Sequence, residues 1–101
     1  MASKRVRFHP EADREYLSSL AWYSERSLAA ALDFEGELQR AIAAIAEAPE
    51  RWPAYFSRFR RYVLHQFPFS VVYCVLDGEI LVLAVAHGHR RPGYWKKRVR
   101  Q

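Results

Sequence analysis

The 101 residues include a single cysteine, four glycines and no apolar run long enough to cross a bilayer. One cysteine, Cys74, excludes an intramolecular disulfide and gives no sign of an oxidising compartment, so a cytoplasmic location is the expectation. The sparse glycines form no phosphate-cradling loop and no Walker-type motif, which argues against independent ATP chemistry. Met1 to Pro10 carries Lys4, Arg5, Arg7 and His9 without an apolar stretch, so it does not read as a signal peptide. Acids are scarce in one place. Residues 58–101 hold nine Lys/Arg and only two acids, Asp77 and Glu79, whereas residues 1–57 hold seven bases and nine acids. The two stretches carry +7 and −2 within a net charge of +5, a concentration of charge that points to a polyanionic partner, either nucleic acid or an acidic protein segment.

What is present suits one folded domain spanning residues 1–101: half the residues are hydrophobic and 15% are aromatic. Arg5 to Phe8 reads as a short strand. His9-Pro10-Glu11 reads as a helix start, and Ala12, Tyr16, Leu20 and Tyr23 recur at helical spacing, predicting a helix from about Pro10 to Glu25. Ser27 is placed to cap a second helix with the stripe Ala31, Phe34, Leu38, Ile42 and Ile45, ended by Pro49. The connection between the two is short enough to require an antiparallel hairpin.

The periodicity then changes. Phe59 to Phe67, Phe69 to Leu76 and Glu79 to His87 are β-rich, and Asp77-Gly78 is a hairpin turn signal. A two-residue turn would set Leu76 opposite Glu79, Tyr73 opposite Val82 and Ser70 opposite Val85. Both faces of this hairpin are apolar, so one should take the helices and the other should form a groove. The fold class expected is α+β in the order β-α-α-β-β-β: an N-terminal strand, an antiparallel helical hairpin, and a three-stranded antiparallel meander forming a curved sheet.

Chemistry-bearing residues concentrate after the last strand, in His87-Gly88-His89-Arg90-Arg91-Pro92-Gly93-Tyr94-Trp95-Lys96-Lys97-Arg98. Histidine, arginine and tyrosine together can move protons on a phosphodiester while stabilising its charge, and the same types can simply grip a phosphate or carboxylate. His87-x-His89 lacks further ligands at metal-site spacing, so neither metal nor cofactor is expected. Cys74 reads as a small core residue and Trp52 as a plug after the second helix. In Arg58-Phe59-Arg60-Arg61-Tyr62, strand alternation sends Arg60 and Arg61 to opposite faces, so only one of them should lie at the groove.

Taken in order, Phe8-x-Pro10-x-Ala12, Trp22-Tyr23, Pro49-x-x-Trp52-Pro53, Arg60-Arg61, Phe67-Pro68-Phe69 with Val72-Tyr73, Ala84-Val85-Ala86-His87 and Arg90-x-Pro92-Gly93-Tyr94-Trp95 resemble the RelE/ParE toxins of bacterial type II toxin–antitoxin systems, in particular the ParE-like plasmid-stabilisation branch. The resemblance implies a growth-inhibiting toxin held inactive in a hetero-oligomer by a cognate antitoxin whose acidic C-terminal segment wraps it.

Two targets follow from the resemblance. ParE-like members poison DNA gyrase and are not nucleases; RelE-like members cut mRNA on the ribosome. Ribonuclease members place an arginine in the third strand, where this chain has Ser70, and lysines before it, where this chain has arginines. The ParE-like reading is therefore the first expectation. On the ribonuclease alternative, His87, Arg90, Tyr94 and Arg61 would be the catalytic set, so whether the chain is an enzyme turns on the branch. On either reading Arg58, Arg60, Arg61, His89, Arg91, Trp95, Lys96, Lys97 and Arg98 are the candidates for target or antitoxin binding. A basic nucleic-acid-binding module without toxicity is the third expectation.

Overall fold

The computed structural model describes residues 3–99; Met1, Ala2, Arg100 and Gln101 lie outside the described residues. Strand β1 (Val6–Phe8) leads into helix α1 (Pro10–Arg26). His9 caps it, its Nδ1 accepting from the Glu11 amide at 3.0 Å, with Pro10 in the first turn and Glu11 and Asp13 at the positive end of the helix dipole. One extended residue, Ser27, then serves both helices. Its amide donates to the Tyr23 carbonyl and its hydroxyl accepts from Ala30 at the start of α2 (Leu28–Glu47). A single-residue connection folds the helices back on each other, with the Tyr16 hydroxyl donating to Glu35 across them at 3.3 Å.

A 3-10 turn at Pro49–Arg51 leads to β2 (Arg60–Val63), β3 (Phe69–Leu76) and β4 (Glu79–His87), and a second 3-10 turn, Lys96–Arg98, follows β4. The sheet order is β1-β4-β3-β2. The last three strands pair antiparallel, as expected, while β1 adds to β4 in parallel, making the sheet mixed. Asp77 and Gly78 both take positive φ (52° and 76°), the condition of a type I′ turn. From that turn Leu76 pairs with Glu79 and Tyr73 with Val82, as the counted register requires. Beyond it the register shifts: Val72 pairs with Ala84 and Ser70 with Ala86, not Val85, because a bulge between Val72 and Tyr73 inserts one extra residue into β4.

Strand β2 is shorter than the expected Phe59 to Phe67. Buried Glu37 of α2 accepts the backbone amides of His65 and Gln66, the latter at 3.1 Å, and turns the chain into a loop instead of a strand. The helices cover one face of the sheet. There Phe34, Leu38, Ala41 and Ile45 of α2 meet Phe69, Val71, Tyr73, Val82 and Val85, with Tyr16, Leu20 and Tyr23 of α1 at the margin. The opposite face was expected to be an open groove, and along most of its length it is not. Phe59, just before β2, and Trp95 and Val99, after β4, close over Val72, Cys74, Leu81 and Leu83 and bury their apolar side chains there. Near His87 a cleft stays open on that side.

Candidate functional site

The site forms where β4 runs past its neighbour. Strand β1 ends at Phe8, opposite Val82, so one edge of β4 continues towards His87 without a strand partner. Side chains take over that edge. The Val85 amide donates to Glu15 Oε1 of α1 at 3.0 Å, and Arg98 Nη1 donates to the Leu83 carbonyl at 2.9 Å. Glu15 and Arg98 also meet each other, Arg98 Nη2 lying 2.9 Å from Oε2 and Nη1 3.1 Å from Oε1. Tyr94 completes the network by donating its hydroxyl to Glu15 Oε2 at 2.7 Å. One carboxylate thus collects an amide, a phenol and a forked guanidinium, and ties the segment after β4 to α1. Burial, and then the Glu15 carboxylate beside it, push the Tyr94 hydroxyl well above its ordinary range, so it stays a neutral donor.

Trp95 anchors the same segment on the second face of the sheet, 4.8 Å from the Phe59 ring and 1% exposed. Gly88 ties it to the β2–β3 loop by donating to the Pro68 carbonyl, and the Arg90 amide closes a turn on the His87 carbonyl.

Three hollows meet around His87. A cleft of about 90 Å³ is lined by Arg61, Ser70, His87, Arg90, Arg91 and Tyr94. A groove of about 340 Å³ runs along α1 past Arg14, Glu15, Ser18 and Ser19 to Arg90 and Arg98. An apolar groove of about 550 Å³ lies between Trp22, Tyr23, Pro68 and Phe69. His87 lines all three. Its Nδ1 accepts from the His89 amide at 3.1 Å, which puts the proton of the neutral ring on Nε2. The Arg90 guanidinium lies 3.8 Å over the Tyr94 ring and Arg61 lies 4.1 Å over Tyr55. Among the described residues no group of three His, Cys, Asp or Glu is placed to hold a metal ion.

A family model described as the ParE toxin of the type II toxin–antitoxin system parDE matches residues 6–92, from the first strand through the cationic cleft. The chain belongs to the ParE toxin family. The fold of this ParE-family toxin agrees with that of a chromosomal ParDE toxin–antitoxin system from P. aeruginosa, with a TM-score of 0.72 over 84% of this chain and 96% of that one, at 16% identity. A search of curated proteins finds no match.

In this ParE-family chain the residues expected for catalysis do share one place: Arg61, His87, Arg90 and Tyr94 all line the small cleft, with Arg91 beside them. Of the arginine pair, Arg61 is the one at the groove. Arg60 turns to the helix side and donates to the Trp52 carbonyl at 2.5 Å, holding the turn before β2. The other candidates for binding are dispersed. Trp95 is buried in the core and reaches the cleft only from beneath, and Arg98 is committed to Glu15 and Leu83. Arg58 lies 5.5 Å over Phe59, and Lys96 lies 3.9 Å over the Phe56 ring. Lys97 is exposed on the final 3-10 turn, while exposed His89 sets its ring 4.9 Å from that of His87.

Glu15 and Trp22 were missed by the sequence reading. Glu15 gave no local signal: three residues after buried Ala12 it lies about 60° from Ala12 on the side away from Tyr16, Leu20 and Tyr23, where the helix face turns polar. Nothing local distinguishes Trp22, which is 51% exposed, from a core aromatic.

Proposed function

We propose that this ParE-family toxin acts in the cytoplasm by binding and poisoning DNA gyrase without bond chemistry of its own, and that a cognate antitoxin with an acidic C-terminal segment holds it inactive. The family match supports the toxin class, and one observation favours binding over chemistry. The Tyr94 hydroxyl beside the cleft is already donated to Glu15 and is held neutral there. A general acid or base must be able to give up or take its proton at the reacting atom, and a phenol committed to a carboxylate with a raised pKa does neither well near neutral pH.

A second reading, a ribosome-dependent endoribonuclease, is favoured by the convergence of Arg61, His87 and Arg90 on the same cleft, where His87 would move the proton and the arginines would meet the phosphate. Induced expression separates the two. The gyrase reading expects filamentous cells with a DNA-damage response and intact transcripts by primer extension on ribosome-bound mRNA. Cleavage of those transcripts, abolished by His87→Ala, would sink it in favour of the ribonuclease.

A further inference from the structure

The outer face of α2 takes no part in the hollows around His87, since none of their lining residues comes from that helix. At about 100° per residue, Gly36 lies about 180° from buried Ile45 and so points directly away from the sheet. Leu32 stands on one side of Gly36 and is more than half exposed, as is Leu28 a turn earlier. Asp33 and Arg40 stand on the other side, both exposed and within about 20° of each other around the helix. Their spacing sets them about 10 Å apart along the axis, too far to pair with each other. Among the described residues neither has an ion-pair or hydrogen-bond partner, and the Arg40 guanidinium rests over Gly36 instead. The acids between them are engaged elsewhere, Glu35 with Tyr16 and Glu37 with the amides of His65 and Gln66.

This pattern is complementary to itself. A two-fold axis lying across α2 near Gly36 runs two copies of the helix antiparallel and sets each side of the face against the same side of the other copy. On the charged side Asp33 of each copy then meets Arg40 of the other, so both charges are answered twice over. On the apolar side Leu32 of each copy meets Ala43 and the stem of Gln39 of the other. Gly36 near the axis carries no side chain to hold the backbones apart. A parallel pairing of the same faces sets the charged side of one copy against the leucine side of the other and answers neither charge. The arrangement of charge therefore selects both the occupant and its direction.

We propose that the outer face of α2 docks on the same face of a second copy of this chain, antiparallel, through two Asp33–Arg40 pairs on one side of Gly36 and Leu32 on the other. The 20 residues of α2 make a face about 30 Å long, and a helical hairpin is about 20 Å across, so each copy covers roughly 600 Å². That lies below the ~800 Å² per partner of a standard interface, which makes this a reversible dimer formed at micromolar concentration and above. It uses none of the residues that line the hollows around His87.

The test is sedimentation equilibrium of the purified whole chain from about 1 μM to about 1 mM at low salt, with Asp33→Arg, Arg40→Asp and Leu32→Gln beside the wild type. All three positions are exposed, and circular dichroism checks that each variant is folded. The wild type should pass from monomer to dimer across this range, and added salt should weaken it. Asp33→Arg and Arg40→Asp should each weaken self-association about tenfold or more, because two attractive contacts become two like-charge contacts. Leu32→Gln should weaken it as well. Mixing the two charge variants restores opposite charges at both contacts. A fluorescently labelled Arg40→Asp chain should therefore associate with Asp33→Arg at least tenfold more tightly than either variant does with itself. A wild type that stays monomeric to 1 mM overturns the proposal. So does a dimer that both charge variants form as well as the wild type, because it would then use another surface, and so does a mixture that associates no better than its components.

Discussion

Replacing Glu15 by alanine leaves Arg98, Tyr94 and the Val85 amide without the acceptor they share. The Glu15 and Arg98 side chains are only 16% and 14% exposed, so the orphaned guanidinium is desolvated as well as unpaired. Removing one partner of such a pair costs about 3 kcal/mol, the low end for buried ion pairs given that residual exposure, and urea unfolding of Glu15→Ala should show it. The tyrosines add a pH dependence. Burial raises Tyr73 to about 12 from its ordinary 10.0, and Tyr94 is raised further by burial and by Glu15. Both groups hold their protons more tightly in the folded state than in the unfolded one. Their contribution is therefore complete below pH ~10 and is lost as pH climbs through the folded values. The urea midpoint should fall above pH ~10, and Tyr94→Phe should flatten that fall.

Among the elements, local chemistry was legible and long-range chemistry was not. The β3–β4 turn could be read because Asp77-Gly78 carries its own conformational requirement, and Ser27 could be read as a cap for the same reason. The divergence of Arg60 and Arg61 followed from strand alternation alone. The register shift near Val72 and the early end of β2 could not be foreseen. The β2 ending depends on Glu37, some thirty residues upstream, and the unpaired edge of β4 is completed by Glu15 and Arg98, from opposite ends of the chain. The candidate site divides in the same way. His87, Arg90 and Arg91 were visible as a cationic run, whereas Glu15, which organises that run, was not. The dependence of the β2–β3 loop on Glu37 is testable. Glu37→Ala strips the acceptor from two amides, so it should cost about 2 kcal/mol and increase hydrogen exchange at His65 and Gln66 before the rest of β3.

The whole molecule presents α1 and the end of the sheet as one continuous surface, cationic at Arg61 and Arg90 and apolar at Trp22, while Glu15 holds the segment after β4 rigidly beneath it. A surface ordered before it meets a partner loses little entropy on binding, whichever partner that is. The fold alone does not choose a target, since the same sheet and hairpin can carry a catalytic or a purely adhesive cleft. The decisive measurement is supercoiling of relaxed plasmid by purified gyrase in the presence of the purified toxin. The account predicts inhibition by micromolar toxin that persists in His87→Ala, because no proton transfer is required. Undiminished supercoiling at the highest toxin concentration would contradict it.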